Sequence, residues 1–303
     1  MSETNKQIFI KLFSLFSVVR GYNILVIMLA QYLSAVFILA PQQRALATLI
    51  DFHLFILVVA SSLTIASGYI INSFYDAEKD LINRPNKSIL DRMVRQSTKL
   101  QVYFGLNFFV FLIAFFVSFR AVLFYSVYIF LIWFYSHKIK KMLYYGNLMA
   151  AFLAVLPFFG ILLYYKNFNE TIYFHATFLF LLILVRELIK DLENQLGDLA
   201  NDYRTIPIVH SEKTSKTIIS ILSVATVVPV YFLITVFDVG YMDLYFYLCF
   251  IVLIFMNIKL SQSTTKPEYL KLHNLLKTLI LTGIFCIVLI NPKVLLSLKH
   301  LFF

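Results

Sequence analysis

Charged residues are scarce in this chain, since only 14% of its 303 residues are Asp, Glu, Lys or Arg, against 60% hydrophobic residues. Soluble domains carry about 25% charged residues. This shortage, with a mean hydropathy of +0.82, excludes a soluble globular protein and indicates several membrane spans. Cysteine is also rare. Cys249 and Cys286 lie in apolar runs with no partner pattern, which excludes a disulfide framework or a cysteine metal site.

Acidic residues are the scarcer charge, with 16 against 26 Lys and Arg and a formal net charge of +10. Nine apolar runs near membrane-crossing length are predicted to form helices, at 21–40, 52–75, 102–119, 121–136, 146–165, 171–189, 217–237, 241–260 and 275–298. Of the basic residues, 21 fall on one side of these runs and 5 on the other. The positive-inside rule therefore predicts a cytoplasmic N-terminus and an external C-terminus. The excess charge follows this topology, which argues against a nucleic-acid partner, and the chain is expected in the cell (inner) membrane.

The first acidic window ends the apolar run 52–75. Asn72, Asp76 and Asp80 are spaced i, i+4, i+8, so on a helix they share one face. Ionisable residues at membrane depth are costly and indicate a functional site. Carboxylate and amide oxygens are the ligands that Mg²⁺ prefers. The alternative is a solvated helix end just outside the bilayer.

The second acidic window follows the sixth run. Asp191, Asn194 and Asp198 are spaced i, i+3, i+7, again on one helical face, and Asp202 comes one further turn along. The two windows, residues 76–80 and 187–202, hold eight of the 16 acidic residues. Both windows lie on the same predicted side of the membrane. Opposed carboxylates repel one another unless cations lie between them. Mg²⁺ ions that bridge the carboxylates to a diphosphate would meet this need.

Polar and basic residues near both windows are candidates for binding an anion. Pro85 is predicted to end the second helix, so Arg84 and Lys87 are expected on a loop beside Asp76 and Asp80. Each basic candidate also has an ordinary role as a cytoplasmic anchor. The remaining candidates are Arg20, Asn23, Tyr135, Ser136 and Lys140.

These motifs together resemble the UbiA superfamily of intramembrane prenyltransferases. Asn72, Asp76 and Asp80 match its N-x-x-x-D-x-x-x-D motif, and Arg84 with Lys87 resembles the basic stretch that follows. Elements similar to those of the family also occur at Arg20, Asn23, Tyr135, Ser136, Lys140, Gly146 and Asn147. The resemblance covers essentially the whole chain, 1–303. It implies one domain, an all-α membrane protein with nine transmembrane helices around a cytoplasm-facing active-site cavity.

The second motif departs from the family pattern. Aligned through Gly197 and Asp198, the family's D-x-x-x-D falls on Asn194 and Asp198, so an amide replaces its first aspartate. Either Asp191 or Asp202 supplies the missing charge. The resemblance implies Mg²⁺ ions bound by carboxylates on both helices: Asp76, Asp80, Asp191 and Asp198. It implies that the other candidates, with Asn72, Asn194 and Asp202, contact substrate.

The stretch from Arg186 to Asp198 is most similar to the digeranylgeranylglyceryl phosphate synthase branch of the family. This branch implies transfer of an isoprenyl group from an allylic isoprenyl diphosphate to a lipid acceptor, a (geranylgeranyl)glyceryl phosphate. The alternative is an aromatic or chlorin acceptor of the 4-hydroxybenzoate, dihydroxynaphthoate or chlorophyllide type. A cation transporter or channel is a different class, and it predicts acidic residues spread through the membrane depth.

Overall fold

The computed structural model describes residues 14–294, except the side chain of Leu90. Within these residues, nine helices are long and apolar enough to cross a membrane. In chain order, α1 to α9 are Gly21–Leu39, Phe52–Tyr75, Gln96–Val117, Phe119–His137, Tyr145–Tyr165, Glu170–Ala200, Glu212–Thr235, Gly240–Gln262 and Lys266–Ile290. The predicted all-α fold with nine spans is therefore confirmed for the described part of the chain.

Two helices differ most from their predicted bounds, by nine residues or more at one end. α6 was expected to end at residue 189 but continues to Ala200. Its added turns bury the polar side chains of Glu193, Asn194 and Asp198, whereas Leu196 and Leu199 are exposed. α9 begins at Lys266 rather than 275. It follows a capping box in which the side chains of Thr265 and Glu268 each accept a hydrogen bond from the other residue's backbone N–H. Its predicted end at residue 298 lies outside the described residues.

The apolar interior is divided between the two halves of the chain. One cluster joins α2, α3 and α4 through residues such as Ile70, Val110 and Tyr125. A larger cluster joins α6 to α9 through residues such as Ile189, Ile219 and Met256. α2 and α6 thus each sit in one half, and their C-terminal ends carry the two acidic windows.

Buried polar side chains connect the helices of the first half with α5. Gln31 Nε2 donates to Ser61 Oγ (3.1 Å) and to the carbonyl of Pro157 (3.2 Å). Ser61 in turn lies 3.0 Å from the Tyr125 hydroxyl. Such bonds hold membrane helices together because the lipid interior offers no alternative partners.

The proline in α5 is accommodated by a neighbouring helix. Pro157 has no N–H to donate to the carbonyl of Leu153, four residues earlier. The Tyr128 hydroxyl donates to that carbonyl instead, at 3.1 Å. α5 therefore stays helical through Pro157.

The connection between α2 and α3 corrects one prediction. α2 ends at Tyr75 with Asp76 as its C-cap, and two short helices follow, Ala77–Asn83 and Pro85–Asp91. Pro85 begins a helix rather than leaving a loop, because proline's missing N–H costs nothing at the first helical position. Lys87 therefore lies on a helix, and only Arg84 lies between the two.

Candidate active site

Asp76 is the centre of the first wall of the site, which is formed by the end of α2 and the helix Ala77–Asn83. Its carboxylate is buried and accepts hydrogen bonds from Lys140 Nζ (2.6 Å), the Tyr203 hydroxyl (2.5 Å) and Asn72 Nδ2 (2.7 Å). Burial alone would raise the pKa of Asp76. The ammonium groups of Lys140 and Lys79 outweigh burial and hold that pKa below its ordinary value, so the carboxylate is ionised at neutral pH.

Asp80 lies one turn beyond Asp76, and its environment is different. Its side chain is half-buried, and within the described residues it makes no hydrogen bond or ion pair. It contributes instead to the electrostatic field at Lys87, Lys99 and Lys140. Its oxygens are therefore free to accept a ligand.

The second wall is the last part of α6, where the predicted face is confirmed. Asp198 is fully buried and pairs with Lys79, which comes from the first wall. Asp191 accepts a hydrogen bond from Asn147 Nδ2 at 2.8 Å. Asn194 donates to the carbonyl of Lys190, and its buried Oδ1 has no partner in the described part of the chain.

The two walls meet through Tyr203 and Asn83. Tyr203 donates its N–H to the carbonyl of Asp198 (2.9 Å) and its hydroxyl to Asp76 (2.5 Å). Burial and the neighbouring Asp76 raise the pKa of Tyr203 well above its ordinary value, so the hydroxyl stays a donor. Asn83 Oδ1 accepts the N–H of Gly197 at 3.1 Å. Windows 118 residues apart in sequence therefore form one site.

The other acidic residues of the second window are already neutralised. Glu187 accepts from Lys190 (2.6 Å) and from Arg186 (2.7 Å). Glu193 accepts from His273 Nδ1 at 2.7 Å. Glu187 is thus paired within α6, whereas Glu193 joins α6 to α9 through His273.

Two candidates on α4 also reach the site. The Tyr135 hydroxyl interacts electrostatically with four carboxylates, first Glu187 and then Asp76, Asp191 and Asp198. The buried Ser136 Oγ has no hydrogen-bond partner among the described residues. Both groups therefore offer polar atoms next to the two walls.

The remaining candidates surround this centre at different distances. The Arg20 guanidinium lies over the Tyr69 ring, 5.0 Å from its centroid, and Asn23 Nδ2 lies 3.4 Å from the Tyr69 hydroxyl. Arg84 contacts Glu193 at 3.4 Å. Lys87 lies 3.8 Å from Asp91. Within the described residues, none of these four side chains contacts Asp76 or Asp198, although Arg20 and Lys87 interact electrostatically with one another.

Asp202 lies apart from the α6 carboxylates. α6 ends at Ala200, and Asp202 is exposed with a left-handed backbone, φ 59°. Its side chain makes no hydrogen bond or ion pair within residues 14–294. Its position favours Asp191 as the residue that supplies the charge missing at Asn194.

Sequence reasoning missed three residues of the site: Lys79, Tyr203 and Asn147 as the partner of Asp191. Lys79 lies inside the first window and Tyr203 directly after the second. A basic residue between two acidic ones was the signal that could have marked Lys79. Its partner could not be read from the sequence, because the contact joins two helices.

The donor set fits Mg²⁺, since every free group is a carboxylate, amide or hydroxyl oxygen. Asp80, Asp191 and the unpartnered Oδ1 of Asn194 offer such oxygens. Among the described residues, no three His, Cys, Asp or Glu side chains are already grouped as a metal site. A bound cation would therefore be completed by oxygens from substrate or water, as Mg²⁺ commonly is.

Comparison with known proteins identifies the family. The model of the UbiA prenyltransferase family matches residues 24–290. The chain belongs to this family. A digeranylgeranylglyceryl phosphate synthase from Thermococcus sibiricus is 33% identical over 162 residues, which cover 53% of this chain and 57% of that protein. The chain therefore spans little more than half the length of that relative.

Solved structures share the fold of this family member. One, from work on digeranylgeranylglyceryl phosphate synthase in membranes, has a TM-score of 0.70 at 20% identity and covers 92% of this chain and 98% of that chain. A UbiA homolog from Archaeoglobus fulgidus bound to DMAPP and Mg²⁺ has a TM-score of 0.68 at 14% identity, over 91% and 99%. At these identities the likeness establishes the fold.

Proposed function

We propose that this chain transfers an isoprenyl group from an allylic isoprenyl diphosphate to a lipid acceptor, a (geranylgeranyl)glyceryl phosphate. The observation that carries the proposal is the junction of the two acidic walls, where Tyr203 links Asp76 to Asp198. The names of the similar proteins support the class of donor and acceptor.

The polar site would hold the diphosphate between the walls. Mg²⁺ bound to the free carboxylates would neutralise the charge that develops on the diphosphate as it leaves. Lys79 and Lys140 already place ammonium groups at the carboxylates of the two walls. Arg20, Arg84 and Lys87 lie around them and would add donors to the phosphate oxygens.

The allylic cation left after ionisation needs an aromatic surface and protection from water. Tyr135 lies among the carboxylates of both walls and is the aromatic residue proposed for this role. An apolar cavity of about 110 Å³ lies deeper in the bundle between α1, α5, α6, α8 and α9. Its lining residue Leu182 is nine residues from Asp191, about 14 Å along α6. This cavity would receive part of the isoprenoid chain.

The clustering of acidic residues argues against a transporter or channel. The carboxylates of the site gather at one end of α2 and α6, beside basic side chains. A cytoplasmic position of this end remains a prediction from the basic residues. If this end is cytoplasmic, the diphosphate and glyceryl phosphate headgroups would react at the cytoplasmic face while the isoprenoid chains stay in lipid.

The test is an assay of purified protein in detergent with labelled geranylgeranyl diphosphate. Acceptors are geranylgeranylglyceryl phosphate, 4-hydroxybenzoate, dihydroxynaphthoate and chlorophyllide. We expect labelled product with the glyceryl phosphate and Mg²⁺, and none after EDTA, because the free ligands are all oxygens. Full turnover in EDTA would overturn the metal-diphosphate mechanism. Product with another acceptor alone would replace the lipid acceptor.

A further inference from the structure

Lys79 makes an ion pair that crosses the site. It lies on the helix Ala77–Asn83 of the first wall, yet its ammonium pairs with Asp198 on α6. The Asp198 side chain is only 1% exposed and that of Lys79 17%. No other donor in residues 14–294 reaches either carboxylate oxygen of Asp198. Lys79 is therefore the cation that neutralises this buried carboxylate.

The ammonium is held in place by an aromatic ring. Lys79 Nζ lies 3.8 Å from the centroid of the Tyr203 ring, a cation–π contact. Tyr203 is fixed in turn by its hydrogen bond to Asp76. An ammonium has three donors, and Asp198 with the ring accounts for two directions. The third remains for an anion in the site.

The charges of the second wall match this single ammonium. Asn194 lies one turn before Asp198, at the position of the first aspartate in the D-x-x-x-D pattern, and it is an amide rather than a carboxylate. Asn194 and Asp198 together carry one negative charge, and Lys79 carries one positive charge. A divalent cation at Asp198 would need to displace the Lys79 ammonium from this carboxylate. Asp80 and Asp191, in contrast, form no ion pair with a lysine of residues 14–294.

We infer that Lys79 takes the place of a divalent cation at Asp198, so that this carboxylate does not bind metal and Lys79 contacts the diphosphate directly. The inference rests on the proposed function and departs from the expectation that Asp198 is a metal ligand. It assigns Lys79 as a further substrate-binding residue, and it ties the replacement of an aspartate by Asn194 to the presence of Lys79.

The experiment counts bound Mn²⁺ per chain in the presence of inorganic pyrophosphate, by calorimetric titration and by electron paramagnetic resonance of free Mn²⁺. The double variant Lys79→Met/Asn194→Asp removes the ammonium and adds a carboxylate. We expect it to bind one more Mn²⁺ per chain than the wild type. Lys79→Arg keeps the positive charge and should keep the wild-type count, provided its elution profile shows folded protein.

Lys141 provides a matched control on the same ring. Its Nζ lies 5.1 Å from the Tyr203 centroid but binds the carbonyl of Asn201 rather than a carboxylate. Lys141→Met should therefore leave the Mn²⁺ count unchanged. Equal counts in the wild type and the folded double variant would overturn the inference, with the proposed function intact. Failure of the wild type to bind both Mn²⁺ and pyrophosphate would overturn the proposed function itself.

Discussion

The two walls of the site hold their carboxylates in different ways. The first wall contains a helix break at Asp76, and three donors from α2, the α4–α5 turn and the segment after α6 converge on that carboxylate. The second wall is the end of the continuous 31-residue α6, where Asp191 and Asp198 each have a single side-chain partner among the described residues. The first wall also supplies Lys79, the partner of Asp198. The negative charge of Asp198 in the second wall is therefore neutralised by a residue of the first wall.

The largest loss of activity is expected for Asp76→Asn. It removes the charge on which Lys140, Tyr203 and Asn72 converge. We expect product formation to fall by about 10²-fold or more, as loss of a main electrostatic stabiliser does. The measurement is the rate of labelled product formation at saturating Mg²⁺.

Glu78 is the control for Asp76→Asn, because it is an exposed acid two residues away with no hydrogen bond or ion pair among the described residues. Glu78→Gln should retain near-normal turnover. A similar loss in both variants would mean that net negative charge, rather than the position of Asp76, is what matters.

At the second wall the decisive comparison is Asp191→Ala against Asp202→Ala. Asp191 lies on the same face of α6 as Asp198, whereas Asp202 lies beyond the helix and is exposed. We expect Asp191→Ala to lose about 10²-fold in turnover and Asp202→Ala to stay close to wild type. Near-normal turnover in Asp191→Ala with an inactive Asp202→Ala would reverse the assignment.

These residues also show what the sequence could and could not predict. The nine spans were predictable because apolar length alone decides membrane crossing. The end of α6 was not predicted from the apolar run, since its last turns bury polar rather than apolar residues. The faces of the two windows followed from helical spacing. The pairing of Lys79 with Asp198 and of Tyr203 with Asp76 depends on how the helix Ala77–Asn83 packs against α6, which no local pattern encodes.

The contact between the walls is broken by Gly197→Ala. A Cβ at Gly197 would clash with the side-chain amide of Asn83, which is held there by the Gly197 N–H. Overpacking of this kind costs about 1–3 kcal/mol, so we expect a Tm several degrees lower and reduced turnover. Thermal denaturation in detergent measures the first effect.

Gly105→Ala is the control for this clash, because a Cβ there meets nothing within 4 Å. It should leave Tm unchanged or slightly raised, since alanine favours the helix by up to about 1 kcal/mol. Adding Asn83→Ala to Gly197→Ala should recover part of the lost Tm by removing the clashing amide. No recovery would show that the strain comes from elsewhere on α6.

The smallest effect on stability is expected for Arg84→Gln, which separates binding from structure. The Arg84 side chain is 30% exposed, and its contact with Glu193 is long, at 3.4 Å. Glu193 keeps its hydrogen bond to His273 at 2.7 Å, so the substitution leaves no buried carboxylate unpaired. Partly exposed pairs contribute about 0–1 kcal/mol, so Tm should change by no more than about 1–2 °C.

The same variant tests substrate binding. If Arg84 binds the diphosphate, the KM for the donor should rise while Tm stays unchanged. Arg92→Gln, an exposed arginine at the end of the same connection, should change neither quantity. An unchanged KM in Arg84→Gln would restrict its role to joining the two walls.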